Sequence, residues 1–363
     1  MHFHFDHVTR DTIAGWLTPD NPSHIPTFRV EIDGREFRSV EAAIWRPDLV
    51  EARLHDTGQV GFRFDDSTVP GLSTASEVTI AERKGNRLIY RRSEAKNFIE
   101  GRFFLFNNLP IFSRPIRAAL ADRFLLSYAM IENAGLETAF ALLGNNAVNS
   151  VAAEGRLAVG PYIEFFRRFH YHLSALLIDP FEELANRLLF VRAVTMAANA
   201  PPLSVLPPQY SNIGGLAGRL EQATRRQIAH AFQNLTEAEL SVIRDPITRM
   251  LGCAPGEIAE PRHVPVALAL LAEFNSVGVF SQPEVFRRTV AMQIDLNFES
   301  LAFFAIPEAL PLAAALREDP QVNRLLTNDA RVFRHVAESI DRAINTGEGD
   351  NELRDVLREI RRG

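Results

Sequence analysis

The spacing of apolar residues changes once along this chain, and that change limits what it can fold into. Up to about residue 92, apolar and polar residues alternate in short runs, Phe28-Arg29-Val30-Glu31-Ile32 and Glu36-Phe37-Arg38-Ser39-Val40 among them. A period of two belongs to strands with one covered face. Beyond residue 98, solid apolar runs such as Phe103-Phe104-Leu105-Phe106 take turns with segments of helical period. Strands buried on both faces and separated by helices indicate a parallel sheet between helical layers. The chain therefore reads as an α/β fold, a parallel sheet flanked by helices, preceded by a small all-β sandwich. The expected boundaries are 1–92 for the sandwich, 98–346 for the α/β domain with a helical carboxyl-terminal half, and 347–363 for a tail helix after the break Gly347 to Asp350. A length of 363 residues is enough for two cores.

Within the first region, Asp33-Gly34 is a hairpin signal, since both residues tolerate the positive φ of a tight turn. Further strands are expected at 61–64, 77–82 and 87–91, with Trp16, Ile44, Trp45 and Phe62 as large core side chains. In the second region the rhythm is a strand at 102–107, a helix opening at Ser113 and Pro115 and running to 124, an apolar run at 125–131, and a helix at 137–143. A strand at 171–178 then leads through Asp179-Pro180 into a helix ending near 198. Helices over 213–233, 236–251, 264–274, 283–294 and 321–345 complete the pattern.

Composition removes several kinds of chemistry. A net charge of −6 repels phosphate backbones, so nucleic acid is not an expected partner. Cys253 is the single cysteine, which excludes an intrachain disulfide, a multi-thiolate zinc site and a CxxC pair, and suits a cytoplasmic protein. No apolar run is long enough for a membrane span, and His2 to Arg10 lacks the pattern of a secretion signal. Of 39 basic residues only Lys84 and Lys96 are lysines, leaving 37 arginines. Residues 97–363 thus offer no lysine for a GxxxxGK[ST] phosphate loop, a Schiff base or a general base.

In a parallel layer, ligands gather beyond the carboxyl ends of the strands, here residues 107–114 and 179–187. Asn107 and Asn108 leave the first strand there. Asp179 reads as a helix N-cap with Pro180 at the first position, and Glu182 and Glu183 place negative charge where the helix dipole favours it. Glu182 is also a candidate general base toward a hydroxyl. His170 and His172 bracket Tyr171 at the entering end of a strand, share one of its faces, and are candidates for acid–base work. His2 and His4 share a face of an exposed edge strand, and no metal site is assigned. Cys253 has no evident activating base and reads as an inert thiol.

Three segments resemble the carbohydrate sulfotransferase family: Phe103-Phe104-Leu105-Phe106-Asn107-Asn108-Leu109-Pro110-Ile111-Phe112-Ser113, then Leu177-Ile178-Asp179-Pro180-Phe181-Glu182-Glu183-Leu184-Ala185-Asn186-Arg187, then Phe274-Asn275-Ser276-Val277-Gly278-Val279 with Phe286 downstream. They look like the family's strand and HIPKTGGTS loop, its LRDPxERxxSxY motif and its FDxVGxxE motif, and span residues 100–295. The resemblance implies a sulfotransferase-like, P-loop-type architecture without the lysine loop. It also implies transfer of a sulfuryl group from 3′-phosphoadenosine 5′-phosphosulfate to a sugar hydroxyl. Leu109 stands roughly where the family has its lysine, Ile111 and Phe112 where it has paired glycines, and Ile178 and Asn186 where it has the arginine and serine that hold the 3′-phosphate. By that comparison the anion-binding candidates are Asn107, Asn108, Ser113, Arg114, Arg117, Asp179, Asn186 and Arg187, with guanidiniums standing in for the lysine. Ile13-Ala14-Gly15-Trp16, Val30-Glu31-Ile32-Asp33-Gly34, Arg46-Pro47-Asp48-Leu49 and Gly61-Phe62 resemble small β modules of bacterial surface-polysaccharide enzymes. Three functions stay open: a transferase using the sulfuryl donor, a transferase using another nucleotide donor, and a non-catalytic relative that binds a glycan or a protein.

Overall fold

The computed structural model describes residues 1–94, 98–108, 114–197, 202, 206–220, 224–294 and 306–346. The chain divides into two compact units. One comprises residues 1–103 and 120–153, the other residues 104–119 and 154–363.

The first unit holds two four-stranded antiparallel sheets. Its strands are β1 (His2–Val8), β2 (Ile13–Thr18), β3 (Thr27–Ile32), β4 (Arg35–Glu41), β5 (Ile44–Trp45), β6 (Gln59–Phe64), β7 (Glu77–Glu82) and β8 (Arg87–Ser93), in the orders β1-β2-β6-β5 and β4-β3-β7-β8. Asp33 and Gly34 turn β3 into β4 with φ of 49° and 75°, the backbone that their residue types allow. The two sheets meet through aromatic side chains. Phe28 lies 4.7 Å from Phe62 and 5.5 Å from Phe64, and Phe5 lies 5.8 Å from Tyr90, ring centre to ring centre.

Phe62 takes its expected place in this core, whereas Trp45 and Ile44 are 61% and 43% exposed. Register explains the difference. A bulge between them pairs Ile44 with Gly61 and Trp45 with Gln59, so both side chains leave the same outward face. Trp16, half-exposed, pairs with Gly61 from the other side. Gly61 is needed between them, because a Cβ there would sit 2.8 Å from that of Ile44.

The remaining strands form one five-stranded layer: β9 (Gly101–Asn107), β10 (Leu126–Tyr128), β11 (Ser150–Gly155), β12 (Tyr171–Leu177) and β13 (Ser276–Val279), in the order β10-β11-β9-β12-β13. β10 runs parallel to β11 and β12 parallel to β13. The expected parallel sheet with helices is therefore present. In chain order β9 is followed by β10 on one flank of the layer and β12 by β13 on the other, and such a reversal of strand order is a topological switch point. In β13, Gly278 lets the Phe286 ring of the helix Pro283–Ile294 rest on bare backbone, since a Cβ would fall 2.5 Å from that ring.

β11 has no counterpart among the expected strands. Its small residues Ala152 and Ala153 and the charge of Glu154 dilute the apolar signal that marks β9 and β12. Three long expected helices are each interrupted. Thr224 and Gln227 form a capping box that starts a new helix after Gly214–Arg219, and Asp245-Pro246, with Asp245 at φ 39°, splits the second. The third breaks between Pro320–Leu325 and Thr327–Thr346. The expected tail helix 347–363 and residues 109–113, which include the candidate Ser113, lie outside the described residues. Among the described residues no helix is long and apolar enough to cross a membrane.

Candidate functional site

At the switch point, β9 ends in Asn107 and Asn108, which are 2% and 0% exposed. Asn108 Oδ1 accepts the Ile178 N–H at 3.3 Å, so β9 and β12 finish at the same edge of the layer. β11 finishes there as well. Its Glu154 accepts a hydrogen bond from Asn107 Nδ2 at 3.3 Å and faces Arg117 Nε at 3.5 Å, and Arg156, just beyond it, donates from Nη1 to the Asn108 carbonyl at 3.0 Å.

β12 leads into the helix Pro180–Met196, and its start follows the sequence closely. Asp179 Oδ1 accepts the N–H groups of Phe181 and Glu182 at 3.0 and 3.3 Å, and Pro180 occupies the first turn, where no N–H is needed. Glu183 and Arg187, one turn apart, point into the layer. Glu183 Oε1 receives Arg156 Nη1 at 2.6 Å and stands 2.7 Å from Arg187 Nε, the latter pair lying off the hydrogen-bonding direction. Arg187 is fully buried and also donates to the carbonyls of Gln209 and Val242 at 3.0 and 3.2 Å. Burial lowers the pKa of the Arg187 guanidinium, and the Glu183 charge opposes that shift. Two buried polar atoms beside this network, Arg187 Nη2 and Asn108 Nδ2, have no hydrogen-bond partner among the described residues.

Asp179 also meets Arg317 at 2.7 Å, and the Arg317 guanidinium lies over the Phe181 ring at 4.9 Å. Burial, reinforced by the Asp179 charge and opposed by Arg317, raises the Glu182 carboxyl above its ordinary range. Such a carboxyl exchanges protons nearer neutrality than a free one, as acid–base work requires.

Of the sequence candidates, Asn107, Asn108, Arg117, Asp179, Glu182 and Arg187 cluster around this edge. Asn186 belongs to the same helix, but its amide is engaged structurally: Nδ2 donates to the Glu182 carbonyl at 2.8 Å and Oδ1 accepts the Ile306 N–H at 3.0 Å. Arg114 is exposed at the head of the helix Arg114–Arg123. His170 and His172 stand at the other end of β12, about 20 Å away at 3.3 Å per residue, beside a cavity of about 380 Å³ shared with Arg167 and Glu273. His170 has φ 52° and belongs to the turn before the strand. Burial lowers the His172 imidazole pKa, against a hydrogen bond with Gln293. Glu154 and Arg156 escaped sequence reasoning because β11 did, and Glu183 was read only as a helix-dipole residue.

One group of potential metal ligands occurs among the described residues. Cys253, Glu257 and His263 bring their ligand atoms within 4.8 Å of one another. His263 Nδ1 accepts the Glu260 N–H at 2.9 Å, which places the proton of a neutral ring on Nε2, 3.1 Å from Glu257 Oε1. A proton rather than a lone pair thus faces the would-be ion, and the set serves as a hydrogen-bonded brace.

The chain matches no protein family and no curated protein with which it was compared.

Proposed function

We propose that this chain is a divergent sulfotransferase-like protein that receives an oxyanion-bearing nucleotide at the switch-point edge, with a sugar hydroxyl of a surface glycan as acceptor. The observation that carries the reading is one of position. The three sequence segments of the resemblance become β9, β12 and β13, adjacent strands of one layer, and the loop-bearing ends of β9 and β12 meet at one edge. Sulfuryl transfer spreads negative charge over the moving group, so cations fixed beside it lower the barrier, by the logic of phosphoryl transfer. The sequence Leu109-Pro110-Ile111-Phe112-Ser113 that follows Asn108 carries none. Arg156 reaches the Asn108 carbonyl from the end of β11 and supplies a guanidinium there, with Arg117 on the flank. Glu182 is the group in this region whose raised pKa suits proton removal from a hydroxyl.

The thermal midpoint in 3′-phosphoadenosine 5′-phosphate, the desulfated donor, tests this. At about one hundred times its dissociation constant, a site-selective ligand stabilises a protein by about 2.7 kcal/mol, so the midpoint is expected to rise, and the rise to vanish in Arg156→Met. A rise with sugar nucleotides alone would assign a different donor. A second reading, a non-catalytic glycan- or protein-binding relative, is favoured by the Glu183 carboxylate already holding both Arg156 and Arg187. No shift with any nucleotide would select it.

A further inference from the structure

We propose that the second unit carries a binding site for an organic phosphate monoester, held by Arg244 and Arg249 in a cavity that Arg156, Glu183 and Arg187 do not line. The cavity encloses about 570 Å³, a size that suits a small organic ligand, and Leu240, Ser241, Gly256 and Ile258 line it beside the two arginines. The helices Glu237–Ile243 and Pro246–Gly252 meet at Asp245, whose φ of 39° turns the chain between them. Arg244 stands just before that turn and Arg249 in the last turn of the second helix, and both reach the same cavity.

Both guanidiniums are half-buried, and among the described residues neither forms an ion pair. Other half-buried arginines do: Arg46, Arg91 and Arg219 meet carboxylates at 2.6, 2.6 and 2.8 Å. Arg249 donates from Nη1 to the Ser241 carbonyl, which fixes the guanidinium without neutralising it. The acids nearby are engaged elsewhere. Asn328 donates to both carboxylate oxygens of Asp245 at 2.8 Å, and Glu257 is held by the Arg262 guanidinium and the Ala254 N–H at 3.0 and 3.1 Å. Glu237, the other acid of the lining, is exposed in the first turn of its helix. Burial, reinforced by the Arg156 charge, lowers the Arg249 pKa, and a bound anion would oppose that shift. Two guanidiniums match the double charge of a phosphate monoester at neutral pH, and their planar donors suit its oxygens. Leu240 and Ile258 offer apolar surface to the ester group.

Titration calorimetry of the full chain with phenyl phosphate tests the proposal. Saturable binding is expected, with an affinity at least about tenfold weaker in Arg244→Gln. Because loss of a half-buried arginine also risks misfolding, a second variant, Ile258→Trp, keeps both charges and fills the cavity from an exposed position; it is expected to abolish binding. The Arg244-dependent binding should persist in Arg156→Met, so this site and the nucleotide reading of the switch-point edge stand or fall separately. Absence of saturable binding would overturn the proposal, as would binding that survives both Arg244→Gln and Ile258→Trp, or that is lost in Arg156→Met and kept in Arg244→Gln. Equal affinity for benzyl alcohol, which has the ring without the charge, would overturn it too.

Discussion

Asp245 and Asp329 cap each other's helices. The Asp329 carboxylate accepts the N–H groups of Ile247 and Thr248 at 2.9 and 2.7 Å, closing the start of Pro246–Gly252. Asp245 Oδ1 in turn accepts those of Asn328 and Asp329 at 2.8 and 3.0 Å, closing the start of Thr327–Thr346. Both carboxyls are buried, and desolvation together with the Asp245 charge pushes Asp329 up to about 7. Each carboxylate is held by backbone donors, and each opposes the ionisation of the other.

Because the folded pKa of Asp329 lies above its ordinary 3.8, the folded state binds this proton more tightly than the unfolded chain does. The associated stability is complete below about pH 4 and is lost as pH rises through about 7. Asp329→Asn removes the titration. The thermal midpoint of the native chain minus that of the variant should therefore fall between pH 5 and pH 8, and an unchanged difference would contradict the assignment.

Glu183 holds two guanidiniums, and all three side chains are buried. Glu183→Gln leaves Arg187 buried without a counter-charge and should cost about 3–5 kcal/mol in urea unfolding. Replacing both residues by apolar ones of similar volume should recover much of that loss. A single variant as stable as the native chain would mean that water reaches the site.

Gly278→Ala forces a methyl group into the Phe286 ring and should destabilise by about 1–3 kcal/mol. The double variant with Phe286→Leu should lose less than the two single losses added together, a coupling that a double-mutant cycle reads directly.

Burial and the Glu257 charge push the Cys253 thiol up to about 11. Thiol reagents at pH 8 should therefore modify the native chain far more slowly than the urea-unfolded one. Equal rates would place the thiol in solvent.

Trp45 presents its indole to solvent, with Nε1 donating to the Thr57 carbonyl at 3.1 Å. Trp45→Phe should change stability by no more than about 0.5 kcal/mol and remove most of the acrylamide-quenchable fluorescence.

The elements legible in the sequence were those whose signal is local. The Asp33-Gly34 turn, the solid apolar runs of β9 and β12 and the Asp179-Pro180 cap each depend on chemistry within a few residues. That β9 and β12 end side by side was legible too, because parallel strands of one layer share a carboxyl-terminal edge. What stayed hidden depends on distant partners. Glu154 and Arg156 acquire meaning only when β11 lies beside β9, and the exposure of Trp45 follows from a bulge that no periodicity announces. The Asp245–Asp329 exchange joins residues 84 positions apart.

The division between the two units falls inside β9 and β11, so the first is assembled from two stretches of sequence with a piece of the second threaded between them. No single cut in the gene separates them. An expression boundary drawn near residue 95, where the polarity pattern changes, would strip the first unit of residues 98–103 and 120–153 and leave those strands and helices attached to the wrong fragment. The two halves are thus bound to be inherited, synthesised and exchanged as one piece.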